Sequence, residues 1–97
     1  MKKCINPQAL AIQRRFFEAL ETAISLGKIS GLKSFCDEHE LNRTKYSRLR
    51  NDMNKPIEEM TYKMIDLDAL SSICKDFGVS AEWLLLGRGK MLKTDAK

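Results

Sequence analysis

The apolar residues of this 97-residue chain recur at intervals of three and four in short runs, and each run is bounded by residue types that start or stop a helix. A pattern of that kind admits little besides a bundle of short helices. Asn6 can cap a first helix with Pro7 at its first position, where a missing N–H does no harm, and Ile12, Phe16, Leu20, Ala23 and Ile24 then follow at helical spacing as far as Gly27. A second helix, from Ser30 or Gly31 to Glu38, carries Leu32, Phe35 and Cys36. Asn42 caps a third, with Tyr46, Leu49 and Met53 as its apolar positions and an end near Asp52. The stretch from Asn54 to Tyr62, punctuated by Pro56, reads as a loop. Asp66 caps a fourth helix with the stripe Leu67, Leu70, Ile73, Cys74 and Phe77, and Gly78 ends it. Ser80 caps a fifth, carrying Trp83, Leu84, Leu85 and Leu86 before Gly87, and the chain from Arg88 onward is expected to fray. The expected architecture is all-α: five helices in one domain over residues 1–97, with a core from about 7 to 92 and flexible tails at 1–5 and 93–97.

Length and composition agree with that expectation. A chain of this size builds one compact domain, and with only five Gly and two Pro it does not read as a disordered tail. No apolar run approaches the roughly 20 residues needed to cross a bilayer, and the N-terminus lacks the apolar stretch of a signal peptide, so a cytoplasmic location and no membrane partner are expected. Cys4, Cys36 and Cys74 are odd in number and widely spaced, which reads as three reduced thiols, two in the core and one exposed.

The net charge of +4 has one source. Arg43, Lys45, Arg48 and Arg50 lie between Leu41 and Asn51 with no acid among them, and elsewhere thirteen basic residues balance thirteen acidic ones. Such a localised patch is the electrostatic footprint of a nucleic-acid binder, although a merely solvated basic helix has the same composition. A helical wheel separates the two faces. At about 100° per residue Tyr46, Leu49 and Met53 share a narrow arc, and Arg43, Thr44, Ser47, Arg48 and Asn51 fall opposite it.

Two blocks carry a family resemblance. The first, Leu32 to Asn51, reads Leu-Lys-Ser-Phe-Cys-Asp-Glu-His-Glu-Leu-Asn-Arg-Thr-Lys-Tyr-Ser-Arg-Leu-Arg-Asn and places two short helices around a tight turn. It resembles the helix-turn-helix of the Cro and phage-repressor class, the XRE-like, lambda-repressor-like DNA-binding fold. Phe35 and Cys36 stand at its large and small apolar positions, Leu41 at the apolar turn position, Asn42 at the capping position, and Tyr46 and Leu49 at the core positions of the recognition helix. The second block, Leu67 to Leu86, looks like the last two helices of phage repressor N-terminal domains, and Gly78-Val79-Ser80 with Trp83-Leu84-Leu85 is its more distinctive part. The resemblance covers roughly residues 10 to 92. It departs at Glu40, where the family usually has Gly, a substitution that costs up to about 1 kcal/mol if the left-handed turn is kept. The loop from Asp52 to Ile65 is also longer than usual, which leaves open whether Lys55 and Lys63 approach phosphates.

The resemblance implies sequence-specific binding of double-stranded DNA by a repressor-like transcriptional regulator of phage or mobile-element type, with the helix at about 43–51 in the major groove. It carries base contact to Arg43, Thr44, Ser47 and Arg48; the two arginines have donors suited to guanine, and the Thr44 methyl suits thymine. Phosphate contact is expected of Ser30, Gly31, Lys33, Lys45, Arg50 and Asn51. The acids in Asp37-Glu38-His39-Glu40 are expected to point away from DNA. The family commonly binds palindromic sites as a homodimer. Leu84, Leu85 and Leu86 spread over about 200° of a helix, so at least one is hard to bury in a single small core and is available to a dimer contact, unless the first helix and the tail surround the short helix, a choice the sequence leaves open. The alternative function is a protein-interaction module, antirepressor- or antitoxin-like, which keeps the fold without reading bases.

Other chemistry has little support. Cys36 and His39 have a spacing that zinc uses, but His39 is the only histidine and no companion pair follows, so no metal and no cofactor are expected. Trp83 and the methionines at 53, 60, 64 and 91 read as packing residues. Without a phosphate-binding glycine loop, a nucleophile–base pair or a small-molecule pocket, enzymatic activity is not expected.

Overall fold

A computed structural model describes residues 7–56 and 65–92. Cys4, the Asn6 cap, the two tails, and the loop segment that holds Met60, Lys63 and Met64 lie outside the described residues. Within them the chain forms a mostly helical domain of five helices: α1 (Pro7–Ser25), α2 (Leu32–Glu38), α3 (Arg43–Asp52), α4 (Leu67–Phe77) and α5 (Ala81–Leu86). No described helix is long and apolar enough to cross a membrane.

The longest helix, α1, forms one wall of the core. Phe16, Phe17, Ala19, Leu20 and Ala23 are buried, and α1 packs on α4 and α5 while α2 packs on α3. Phe16 joins these pairs. Its ring meets Phe35 of α2 at 5.9 Å and Tyr46 of α3 at 6.0 Å, and Phe35 in turn lies 6.0 Å from Phe77 of α4. Each buried aromatic contributes about 1.5–3 kcal/mol through area alone, with edge-on geometry adding to it. This cluster holds two helices that are too short to persist unaided.

On α4 the core face differs from the expected stripe. Ala69, Ile73 and Phe77, each four residues apart, are buried, Leu70 and Cys74 are half-buried, and Leu67 is 83% exposed. Leu67 lies about 120° around the helix from Ile73, too far to reach the same face. Ala69 takes its place in the core.

The three leucines of α5 divide. Leu84 is buried in the core, whereas Leu85 and Leu86 are 41% and 55% exposed. Leu84 is thus chiefly a core residue, and Trp83 is half-buried against the core. The Ser80 hydroxyl accepts from the Trp83 N–H at 3.3 Å, as an N-cap should. At the other end Arg15 of α1 donates from Nε to the Leu84 carbonyl at 2.7 Å and from a terminal nitrogen to that of Leu85 at 3.2 Å, placing a cation on the negative end of the helix. Gly87 follows at φ 73°, and a Cβ there would sit 3.1 Å from the Arg15 guanidinium.

The expectation that the chain frays from Arg88 fails. The Ser80 N–H donates to the Met91 carbonyl at 2.7 Å, Val79 bridges Leu92, and Met91 and Leu92 pack on the core. One backbone bridge and two apolar side chains return this segment. Val79, which the apolar pattern did not single out, is fully buried beneath it.

Between α2 and α3 the turn keeps the left-handed geometry despite its residue type. Glu40 has φ 56°, the only positive value among the described non-glycine residues, and the Leu41 N–H reaches back to the Cys36 carbonyl at 2.8 Å. That bond closes the end of α2 as a Schellman-type cap and draws Leu41 onto the core. The backbone strain at Glu40 is relieved by glycine. Glu40→Gly should therefore stabilise the protein by about 1 kcal/mol, seen as a higher urea midpoint with an unchanged slope, and β-branched Glu40→Val should lower that midpoint.

Candidate nucleic-acid interface

The turn delivers α3 with its N-terminus capped and its basic face outward. The Asn42 side chain accepts from the Lys45 N–H at 3.0 Å, and its carbonyl accepts from the Tyr46 N–H at 3.1 Å, which starts the helix at Arg43. Tyr46 and Leu49 are then buried, as the wheel places them, and Arg43, Thr44, Arg48 and Asn51 are exposed with Ser47 half-buried. Asp52, at the end of the helix, is buried, and its carboxylate meets the Lys55 ammonium at 3.4 Å. Lys55 is therefore held at the helix end.

Arg43, Thr44, Ser47 and Arg48 come together. They line one concavity of about 450 Å³ with Leu32 and Lys33 of α2 and Arg50 of α3. Leu32 is a lining residue that reading for charge passes over. Among the described residues no carboxylate pairs with Arg43, Arg48 or Lys33, and none of Asp37, Glu38, His39 and Glu40 lines the concavity.

The residues expected to contact phosphate are more scattered. Lys33 and Arg50 line the concavity, and Asn51 is exposed but outside the lining. The Ser30 hydroxyl is hydrogen-bonded to that of Ser34 within its own chain segment. Gly31 precedes α2 in extended backbone with open space where a Cβ would stand, and its carbonyl accepts from the Phe35 N–H. Arg50 lies 3.8 Å from the Glu21 carboxylate of α1. Lys45 turns away from the open face altogether: its ammonium is 3.1 Å from Asp66 and only 23% of its side chain is exposed.

Asp66 is the partner that the sequence hid. Its position before α4 suggests a capping carboxylate, yet its side chain caps nothing, and only its carbonyl opens the helix by accepting from the Leu70 N–H. The carboxylate instead accepts from the Tyr46 hydroxyl at 2.8 Å and from Lys45, while the Tyr46 oxygen accepts from the Asp66 N–H at 2.9 Å. The signal lay at residue 46. A tyrosine at a core position needs a partner for its hydroxyl, and a phenylalanine there would have implied none.

This pair sets the titration of both groups. Hydrogen bonds from Tyr46 and then Lys45 hold the Asp66 carboxyl below its ordinary value, and burial pushes the Tyr46 hydroxyl above its own. Burial likewise raises the Cys36 thiol and leaves it unreactive. Because Asp66 is lowered in the folded state, its contribution is present above the unfolded carboxylate value near 3.9 and is lost as pH falls through the folded value. Asp66→Asn should therefore flatten the loss of stability below about pH 4 in acid titration followed by circular dichroism. At neutral pH, Tyr46→Phe and Asp66→Asn should each cost about 1 kcal/mol, discounted because Asp66 is half-exposed, and the double variant should cost less than their sum.

No family model matches the chain, and comparison with curated proteins and with solved structures returned no match.

Proposed function

We propose that this protein binds double-stranded DNA sequence-specifically, with α3 in the major groove, and acts in the cytoplasm as a repressor-like transcriptional regulator of phage or mobile-element type. The observation that carries this reading is the concavity between α2 and α3, where Arg43, Thr44, Ser47 and Arg48 share one solvent-facing surface with Lys33 and Arg50. Two of these are arginines without a carboxylate partner among the described residues, and each presents paired donors to the O6 and N7 acceptors of guanine. A helix of ten residues is about 15 Å long, enough to lie along the groove and present its first turns to base edges. Lys33 and Arg50 flank the readers and bind phosphate, which positions the helix without adding sequence preference. Lys45 leaves that set because Asp66 already holds it.

Selection of bound sites from a random duplex library at physiological salt tests the reading directly. Enrichment of a motif is expected, and its absence would reject base reading. Arg43→Ala and Arg48→Ala should each cost about 1–3 kcal/mol on the selected site and relax preference at one base pair. Lys33→Ala should weaken all sequences alike and reduce the salt slope by about one unit, and Lys45→Ala should change that slope less than Lys33→Ala does.

The same reading includes a two-fold homodimer on a palindromic site. What supports it is the exposed apolar surface of Leu67 and Leu85, which line a groove of about 350 Å³ between α4 and α5, together with the exposed Leu86 that follows them in α5. Leu85→Glu with Leu86→Glu should shift sedimentation from dimer to monomer and leave thermal stability within about 0.5 kcal/mol, whereas Leu84→Ala should lose about 2–5 kcal/mol of stability. A monomer in the unsubstituted protein would remove this part of the reading.

A further inference from the structure

A cluster of metal-ligating groups lies outside the basic concavity, where the end of α2 meets the end of α4. Glu38 is the last residue of α2, His39 follows as its C-cap, and Asp76 lies in the final turn of α4. The fold brings one imidazole nitrogen and two carboxylates, separated by 37 residues in sequence, to within 4.8 Å of one another. Cys36, which sequence spacing pairs with His39, is buried in the core and takes no part.

We propose that Glu38, His39 and Asp76 form a surface chelate for a divalent transition metal of the zinc class. A tetrahedral zinc with bonds of about 2.0–2.1 Å holds its ligand atoms about 3.3 Å apart. His39 Nε2 now donates to Asp76 Oδ2 at 2.7 Å and all the ligand atoms lie within 4.8 Å of one another, so side-chain adjustments of about 1–2 Å at most reach the required spacing. Seating the ion parts the imidazole from Asp76 by roughly half an ångström and swings in the exposed Glu38 side chain. The metal takes the Nε2 lone pair, and the proton leaves that nitrogen for Nδ1 or for water. Solvent completes the coordination.

Two further features favour a cation here. The imidazole is held in place by the Phe35 ring, 4.8 Å away, so one ligand is already oriented. The C-termini of α2 and α4 converge on the cluster, and each carries the negative end of a helix dipole. The imidazole selects transition metals over calcium and magnesium, which prefer all-oxygen sites. A bound ion ties the end of α2, and with it the turn into α3, to α4.

The test is calorimetric titration of zinc chloride into the full chain in a non-coordinating buffer, with thermal unfolding measured in parallel. One equivalent is expected to bind, and saturating zinc should raise the unfolding temperature because only the folded chain brings the three ligands together. His39→Gln, Asp76→Asn and Glu38→Gln should each weaken binding at least about tenfold. Glu38→Gln alters only an exposed side chain and so reads the site without disturbing the fold. Absence of binding, or binding unchanged in His39→Gln and lost in Cys4→Ser or Cys74→Ser, would overturn the proposal.

Discussion

The contact of Phe16 with Phe35 and Tyr46 is the constraint on which the molecule rests. Helices of seven and ten residues are too short to persist in water, since nucleation is costly and few hydrogen bonds repay it. What holds α2 and α3 is one ring of the longest helix packed against an aromatic from each. Those contacts place both helices that line the concavity against α1. Turn chemistry then refines it, through the Leu41 to Cys36 bond and the Asn42 cap.

Tyr46 belongs to that apolar cluster and also to a polar one. Its ring lies against Phe16, while its hydroxyl exchanges hydrogen bonds with Asp66, 20 residues further along the chain. A buried hydroxyl without such a partner would cost about 1–3 kcal/mol, so the pair also specifies which residue of the returning chain stands beside α3. Residues 65 and 66 are thereby registered on α3. Lys45 adds its ammonium to the same carboxylate and gives up its place on the open face.

The helices were legible because caps and periodicity agree at most positions. Asn42, Ser80 and Gly78 bound their helices as their chemistry suggests, and Phe16, Leu20, Phe35, Tyr46, Leu49 and Ile73 occupy the core. What escaped was tertiary. Leu67 fits a stripe written by spacing alone, but the face of α4 that packs in the core is the one carrying Ala69, Ile73 and Phe77. Val79 lacks periodic neighbours, and its burial depends on a return of the chain to Leu92 that local propensity does not encode. The four central residues of the candidate site were legible on a wheel because they share a single helix. Lys45 was not, because a wheel omits the element packed beside it. Arg50 sits between the two cases, at the concavity and within reach of Glu21.

These pairings alter what the net charge means. Of the four cations that make the α3 stretch basic, Lys45 is committed to Asp66 and Arg50 is held only by a weak, half-exposed pair with Glu21, which leaves Arg43 and Arg48 as those without a carboxylate partner among the described residues. Each phosphate neutralised adds about 0.9 to the salt slope, so a helix with few open cations binds DNA of arbitrary sequence weakly. Weak background affinity favours discrimination, since specificity is the ratio of the two affinities and two arginines can supply bidentate contacts to guanine. The same scarcity limits the total affinity of one copy. On the DNA reading, a second copy on the adjacent half-site supplies the missing phosphate contacts by doubling them, and the apolar surface of Leu67, Leu85 and Leu86 lies on helices other than those that form the concavity.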